Sequence, residues 1–343
     1  MEPLIGKTKD EYDAIVSSLG EAPYRARQIE KSVNAGRLID EMSELSLKLR
    51  ERLKADYTTF ALDEKSVLTE EKTDTRKFLL RMQDSVLIEC VGMVYDGKLS
   101  VCVSTQAGCP MRCVFCESGR NGLIRSLTSP EIISQAYIVS RNMGMPVHSV
   151  VLMGSGEPLL NYRNVKEFIE FITREDTLGI GVRRITLSTC GVTSGIKRMT
   201  EDGLGVILSL SLHCAVPEIR KTIMPSEEKF PLSEAYKACM EYRKASGRLI
   251  TLEYSVIDGV NDSLECARAL AELIKGSDCE VNIIDYNPTE GYRGANKANT
   301  AGEFAKKLKR LGINYTIRRK LGSSVAAACG QLKSSYEAFS EKK

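Results

Sequence analysis

From about residue 149 onward, short apolar runs rich in β-branched residues alternate with longer amphipathic segments, which restricts the chain to a narrow set of folds. Ser149–Met153, Arg184–Ser188, Val206–Leu212, Ile250–Ile257, Val281–Tyr286 and Tyr315–Arg318 read as strands. Between and before them, Pro130–Asn142, Val165–Arg174, Leu232–Ala245, Ser263–Lys275 and Gly302–Leu311 read as helices. Strand and helix in alternation require a parallel sheet with right-handed crossovers. With a further strand at Ser100–Val103, the expected architecture is an α/β barrel, partial or complete.

The flanks are different in kind. Residues 1–60 read as a small helical domain, with Leu45, Leu49 and Leu53 at helical spacing and Gly20 and Gly36 as punctuation. Residues 61–98 form a strand-rich extension, with Asp96-Gly97 as a hairpin turn leading into the strand that opens the barrel segment, residues 99–343. No stretch approaches the roughly 18 apolar residues of a membrane span, and Met1 to Asp10 contain no secretory apolar core, so a cytoplasmic protein is expected. Eleven cysteines in such a chain argue for thiols kept reduced or used chemically. The net charge of +3 does not by itself announce nucleic-acid binding. Its distribution is more informative: Arg293 to Lys343 holds twelve Lys and Arg against three Asp and Glu, including Lys306, Lys307, Lys309, Arg310, Arg318, Arg319 and Lys320. That stretch is a candidate phosphate-contacting face, with an ordinary solvated helix and edge strand as the alternative.

Cys109, Cys113 and Cys116 form a C-x3-C-x2-C run on a loop expected between a strand and a helix. Three close thiolates without a nearby fourth suit a [4Fe–4S] cluster with one iron open to a ligand. Zinc is the alternative, with a fourth donor from His148, His213 or another cysteine, but the second half of a zinc ribbon is missing. Phe115 would shield such a cluster from water. In α/β barrels the working residues lie at the carboxyl ends of strands. Gly154-Ser155-Gly156-Glu157-Pro158, Ser188-Thr189-Cys190-Gly191, Ser211-Leu212-His213 and Asn287-Pro288 all fall there. Each has a structural alternative as turn, cap or core residue.

The run Cys109-Pro110-Met111-Arg112-Cys113-Val114-Phe115-Cys116 resembles the signature of radical S-adenosylmethionine (SAM) enzymes. The segments Leu99 to Gly108, Gly154 to Asn161 and Ala327-Ala328-Cys329-Gly330-Gln331-Leu332 narrow this to a resemblance to the RlmN/Cfr family of RNA adenosine methyltransferases. Leu19 to Ile29 is similar to that family's accessory helical domain. The resemblance implies a partial (β/α)6-type radical SAM barrel with an N-terminal helical accessory domain, a [4Fe–4S] cluster and SAM as cofactors, ribosomal and possibly transfer RNA as substrate, an electron-donor protein as partner, and action as a monomer. It implies Cys109, Cys113 and Cys116 as cluster ligands, and Gly156, Glu157, Ser188, Ser211, Leu212, His213 and Asn287 as SAM-holding positions. Cys329 matches the cysteine that is itself methylated, Cys102 its redox partner, and Glu89 a glutamate that accepts the ring proton. Adenine C2 offers no nucleophile to a sulfonium, which is why a radical route is needed. Attack by Cys102 on the Cys329 sulfur demands a thiolate, so Cys102 is expected to be partly accessible where ionisation is favoured.

The remaining cysteines, Cys90, Cys190, Cys214, Cys239, Cys266 and Cys279, read as core or surface thiols. Ser155, where the family usually has methionine, and Glu117-Ser118, where it usually has Ala-Thr, depart from the pattern. Pro158 favours the branch that methylates C2 over the one that methylates C8. A radical SAM enzyme acting on another substrate, or a zinc-stabilised RNA-binding module, are the competing readings.

Overall fold

The computed structural model describes residues 1–289, 291–292, 299–318 and 322–336. Its amino-terminal segment is closed by two short parallel strands, β1 (Glu2–Pro3) and β2 (Tyr57–Thr58), around helices α1 (Lys9–Ser18), α2 (Tyr24–Asn34) and α3 (Leu47–Asp56). A capping box starts α1: the Thr8 hydroxyl accepts from the Glu11 amide, and the Glu11 carboxylate accepts from the Thr8 amide at 2.7 Å. Leu45, Leu49 and Leu53 are all buried, as their spacing requires.

Four antiparallel strands follow, β3 (Asp63–Glu70), β4 (Thr75–Arg81), β5 (Val86–Tyr95) and β6 (Lys98–Cys102). The expected hairpin joins the last two. Asp96 and Gly97 have φ of 48° and 73°, the double positive-φ turn whose twist matches the flanking strands. A small hairpin, β7 (Gln106–Gly108) and β8 (Leu123–Ser126), then precedes the alternating region.

That region runs α4 (Ser129–Met143), β9 (Val147–Leu152), α5 (Tyr162–Thr173), β10 (Ile185–Thr189), α6 (Thr193–Glu201), β11 (Ile207–Ser211), α7 (Pro217–Ile223), α8 (Leu232–Ser246), β12 (Ile250–Val256), α9 (Leu264–Leu273), β13 (Cys279–Asp285), α10 (Thr300–Arg310) and β14 (Tyr315–Ile317). The sheet order is β14-β13-β12-β11-β10-β9-β6-β5-β4-β3, with β15 (Ser334–Tyr336) added antiparallel to β5. Strands β6 and β9 to β14 are mutually parallel. The outer edge of β6 is taken by β5 rather than by β14, so the parallel set stays open and the barrel is partial. Side-chain alternation separates its two faces. In β10, Ile185 and Leu187 are buried in the apolar core, whereas Thr186 and Ser188 face the other way and are half-buried.

The expected strands and helices of the alternating region are present to within a few residues. The sequence reading missed α6 and α7, nine and seven residues long, which are too short to show a full helical period. It also missed β7 and β8, so the cysteine loop lies inside a small hairpin rather than between a strand and a helix. Among the described residues no helix is long and apolar enough to cross a membrane.

Candidate active site

The cysteine loop is shaped by its glycine before it. Gly108 has φ 76°, and a Cβ there would stand 2.0 Å from the Gly122 carbonyl, so the chain can leave β7 in this direction only without a side chain. The Cys109 amide donates to that same carbonyl at 3.1 Å, the Val114 amide to Ile223 at 3.0 Å, and the Cys116 amide to Cys113 at 3.1 Å. The loop thus brings all three thiols, each half-buried, to one open cavity.

Burial pushes the Cys109 thiol up to about 12 and those of Cys113 and Cys116 upward as well. Neighbouring thiols add to this at Cys109 and Cys113, while the Arg220 guanidinium opposes it at Cys113. Three thiols crowded in a poorly solvated place favour a cationic centre that would hold them deprotonated. Among the described residues no three His, Cys, Asp or Glu side chains converge to hold a single ion. Cys109, Cys113 and Cys116 would hold an iron–sulfur cluster, whose ligands are cysteine thiolates. His148, on β9, lines neither this cavity nor the second one described below. Phe115 is buried and meets the His213 ring edge-on, with centroids 4.8 Å apart.

The expected SAM-holding residues come from four strand ends and line the same cavity: Gly156 and Glu157 after β9, Ser188 on β10, Ser211 and His213 at the end of β11, and Asn287 after β13. Gly156 has φ 107°, and a Cβ would meet the Gln106 side chain at 2.6 Å. Leu212 differs. Its side chain is fully buried in the core and it contributes backbone only, its carbonyl accepting from Arg220 Nε at 3.0 Å. The Ser188 and Ser211 hydroxyls are 3.2 Å apart. The buried Glu157 carboxylate accepts from the Leu159 amide at 3.1 Å and the Cys190 amide at 2.9 Å, tying the β9 loop to the β10 loop.

His213, at φ 53°, accepts at Nδ1 from the Ser255 amide at 2.9 Å. Burial lowers its pKa to about 3, so the folded protein holds it neutral while the unfolded chain protonates it near 6.5. Between those values the unfolded state binds the extra proton, so stability falls as pH drops below about 6.5, by up to about 1.4 kcal/mol per unit. Denaturant unfolding from pH 7 to 5 should show this slope in wild type and a flatter one in His213→Asn.

Two residues were not singled out in the sequence: Arg220, behind the first cavity, and Glu253, in its wall. Arg220 is fully buried and donates to the carbonyls of Leu212, Cys190 (3.0 Å) and Ser211 (3.2 Å), while pairing with Glu227. It locks the ends of β10 and β11 together. Arg220→Met should cost about 3–5 kcal/mol in denaturant unfolding, because Glu227 is left buried without its cation. Glu253, on β12, accepts from Ser209 at 2.9 Å and Asn282 at 3.0 Å and lies 3.7 Å from Arg318. An acid inside the buried run Leu252-Glu253-Tyr254 was the available signal.

A second cavity adjoins the first, sharing Cys116, Met153, Asn287 and Arg318 in its walls, and it brings Cys102 and Cys329 together. Both are free thiols, Cys329 exposed and Cys102 buried. This corrects the expectation for Cys102. Burial, reinforced by the neighbouring Cys329, pushes its thiol up to about 12, with Arg318 as the opposing cation. Arg318 is likewise not part of an outward phosphate-contacting face, since it turns into both cavities. Lys306, Lys309 and Arg310 do lie exposed on α10, whereas Lys307 donates to the Asp262 carbonyl. Arg293, Lys297, Arg319, Lys320, Lys342 and Lys343 lie outside the described residues.

Glu89 lines neither cavity. It shares its face of β5 with Val91, the register partner of Cys102, but the segment after Cys329 covers it. Its carboxylate pairs with Lys77 at 3.0 Å and accepts from the Lys333 amide at 2.8 Å. Among the other cysteines, Cys190 lines the first cavity, while Cys90, Cys214, Cys239 and Cys266 are buried in the core.

An open parallel α/β barrel with three thiols on the loop after its first strand defines a radical SAM enzyme, and a family model for the radical SAM superfamily matches residues 103–274. A solved radical SAM methyltransferase from Sphaerobacter thermophilus superposes with a TM-score of 0.90 at 34% identity, covering 97% of this chain and 99% of that one. Curated relatives named "Probable dual-specificity RNA methyltransferase RlmN" include one from Lachnoclostridium phytofermentans, 39% identical over 333 residues, covering 96% of this chain and 93% of the relative. Another, from Clostridium perfringens, is 40% identical over 340 residues and covers 98% of both chains. The chain belongs to the RlmN family of radical SAM RNA methyltransferases. A [4Fe–4S] cluster and SAM are the cofactors of that superfamily, and the donor set described above fits them.

Proposed function

We propose that this protein methylates carbon 2 of an adenosine in 23S ribosomal RNA and in transfer RNA, with the methyl group carried on Cys329. The observation that supports this most directly is the meeting of Cys102 and Cys329 in a cavity that adjoins the one lined by Cys109, Cys113 and Cys116. Those three cysteines ligate the cluster, and Gly156, Glu157, Ser188, Ser211, His213 and Asn287, with the Leu212 backbone, hold SAM. When bound, the cluster and SAM supply the methyl group and the one-electron chemistry that activates a C–H bond.

The rest is done by side chains of this chain. Cys329, exposed on its segment, takes the methyl group on sulfur and presents the carbon to the purine. Met93 and Met153 offer the base an apolar wall, and Asn287 and Arg318 a polar edge. An extruded base gives up a few kcal/mol of stacking, which such contacts offset. Glu89 accepts the ring proton, reached when the Lys333 contact over it opens. Cys102 then attacks the Cys329 sulfur: the S–S bond forms as the bond from that sulfur to the carbon on the base breaks, the carbon keeps the electron pair and takes up a proton to become the methyl group, and the disulfide left behind is reopened by an external reductant. Lys306, Lys309 and Arg310 on α10 and the helical residues 1–60 contact the RNA backbone. The protein works in the cytoplasm, as a monomer, with an electron-donor protein.

The test is to incubate the reconstituted protein with SAM labelled in its methyl group and map the label by peptide mass spectrometry. Label on the Cys329 peptide is the expected result, and labelled RNA with no label at Cys329 at any time would overturn the carrier role.

A further inference from the structure

The thiol at Cys329 is exposed, yet the chemistry proposed for it requires its sulfur to be placed against several partners in turn. What holds its segment is therefore part of the machinery. At the near end, Gly322 has φ 70° and its carbonyl accepts from the Ala327 amide at 2.8 Å, closing a turn. A Cβ on Gly322 would lie 2.7 Å from Ala327 Cβ, so the turn is folded tightly on itself. Glu70, the last residue of β3, staples this turn shut. Its Oε2 accepts from the Gly322 amide at 2.8 Å, and its Oε1 accepts from the Ser324 amide at 2.9 Å and the Ser324 hydroxyl at 2.7 Å. The Thr73 hydroxyl donates to the same Oε2.

Past Cys329 the anchors come from the cluster loop and from β5. The Glu117 amide donates to the Gly330 carbonyl at 2.8 Å, the Ser118 hydroxyl to the Leu332 carbonyl at 2.8 Å, and the Lys333 amide to Glu89 at 2.8 Å. Glu70 lines neither cavity and stands farther off than these: it is the register partner of Thr75 and ends β3, the edge strand of the antiparallel extension, at the end of the sheet away from the parallel strands. Its bonds to Thr73 and Ser324 hold its carboxyl down at about 2, so it is an acceptor throughout the neutral range.

We propose that Glu70 is a positioning residue for the Cys329 thiol, its carboxylate fixing the Gly322–Ala327 turn so that the sulfur is delivered to Cys102 and to the cluster cavity. The antiparallel strands β3 to β5 are then the frame that holds the methyl-carrying segment. The catalytic part of the proposal rests on the carrier role of Cys329. The mechanical part does not, and the experiment separates them.

The full-length, cluster-reconstituted protein is equilibrated anaerobically in glutathione buffers of graded redox ratio, and the Cys102–Cys329 disulfide is quantified by peptide mass spectrometry. Glu70→Ala should lower the effective concentration of one thiol at the other at least tenfold, with Glu70→Gln intermediate because it keeps one acceptor oxygen. In turnover, Glu70→Ala should lower kcat and raise the 5′-deoxyadenosine released per RNA methylated, with KM for SAM unchanged. Ser324→Ala, which removes one bond from the other side, should move both readouts the same way by less, so a folding defect in one variant does not decide the matter. Unchanged disulfide equilibrium and coupling in Glu70→Ala would overturn the proposal. A shifted disulfide equilibrium in a protein whose Cys329 never gains a methyl group would uphold the anchor and overturn the carrier role instead.

Discussion

Cys102→Ala is expected to arrest the protein covalently joined to its RNA. Once the carbon on Cys329 is bonded to the adenine ring, release requires a nucleophile that attacks the Cys329 sulfur. Apart from Cys116 of the cysteine loop, Cys102 is the thiol that lines the second cavity with it. The substitution keeps a small apolar group at a buried position on β6, so the fold should survive with a loss of about 1 kcal/mol. Denaturing gels should show an RNA-linked protein band that accumulates to about one per enzyme, and free methylated RNA should fall by about 10³-fold or more. The pH dependence adds a signature. With the Cys102 thiol pushed up to about 12, its thiolate fraction rises about tenfold per pH unit through the neutral range, and adduct resolution in wild type should rise with it. A Cys102→Ala protein that turns over freely would remove Cys102 from the release step.

Cys329→Ala should abolish methylation of protein and RNA together. The residue is exposed, so the change should alter stability by less than about 0.5 kcal/mol. The three thiols of the cysteine loop and the strand ends proposed to hold SAM are untouched, so iron content, the brown colour and SAM binding should match wild type. Loss of methyl transfer by about 10³-fold or more in a protein that keeps its cluster separates the carrier from the cofactor site. Retained RNA methylation would mean that the methyl group reaches RNA by another route.

Much of this was legible before the structure, and the reason is physical. Parallel strands covered on both faces read as short apolar runs, and helices long enough for several turns show their period, so the frame of the barrel and the clusters at its strand ends stood out. Cys109, Cys113 and Cys116 are adjacent in sequence because one loop presents them. The residues that were missed work through distant partners. Arg220 is defined by carbonyls at 190, 211 and 212, Glu253 by Ser209 and Asn282, and Glu70 by a turn some 250 residues away. Nothing in a single sequence pairs such groups. Arg318 was misread for the opposite reason: a cation in a basic stretch suggests solvent, whereas the strand-end position of this one turns it inward. The burial of Cys102 was likewise hidden, because its cover comes from the segment that carries Cys329.

The central claim is that the Cys329 carbon ends on C2 of adenine. Its most direct test is an anaerobic reaction of the reconstituted protein with SAM, a reductant and ribosomal plus transfer RNA, followed by nucleoside mass spectrometry against authentic 2-methyl- and 8-methyladenosine. The account predicts 2-methyladenosine in wild type and none in Cys329→Ala. 8-Methyladenosine, or no methylated adenosine despite an intact cluster and 5′-deoxyadenosine release, would contradict it.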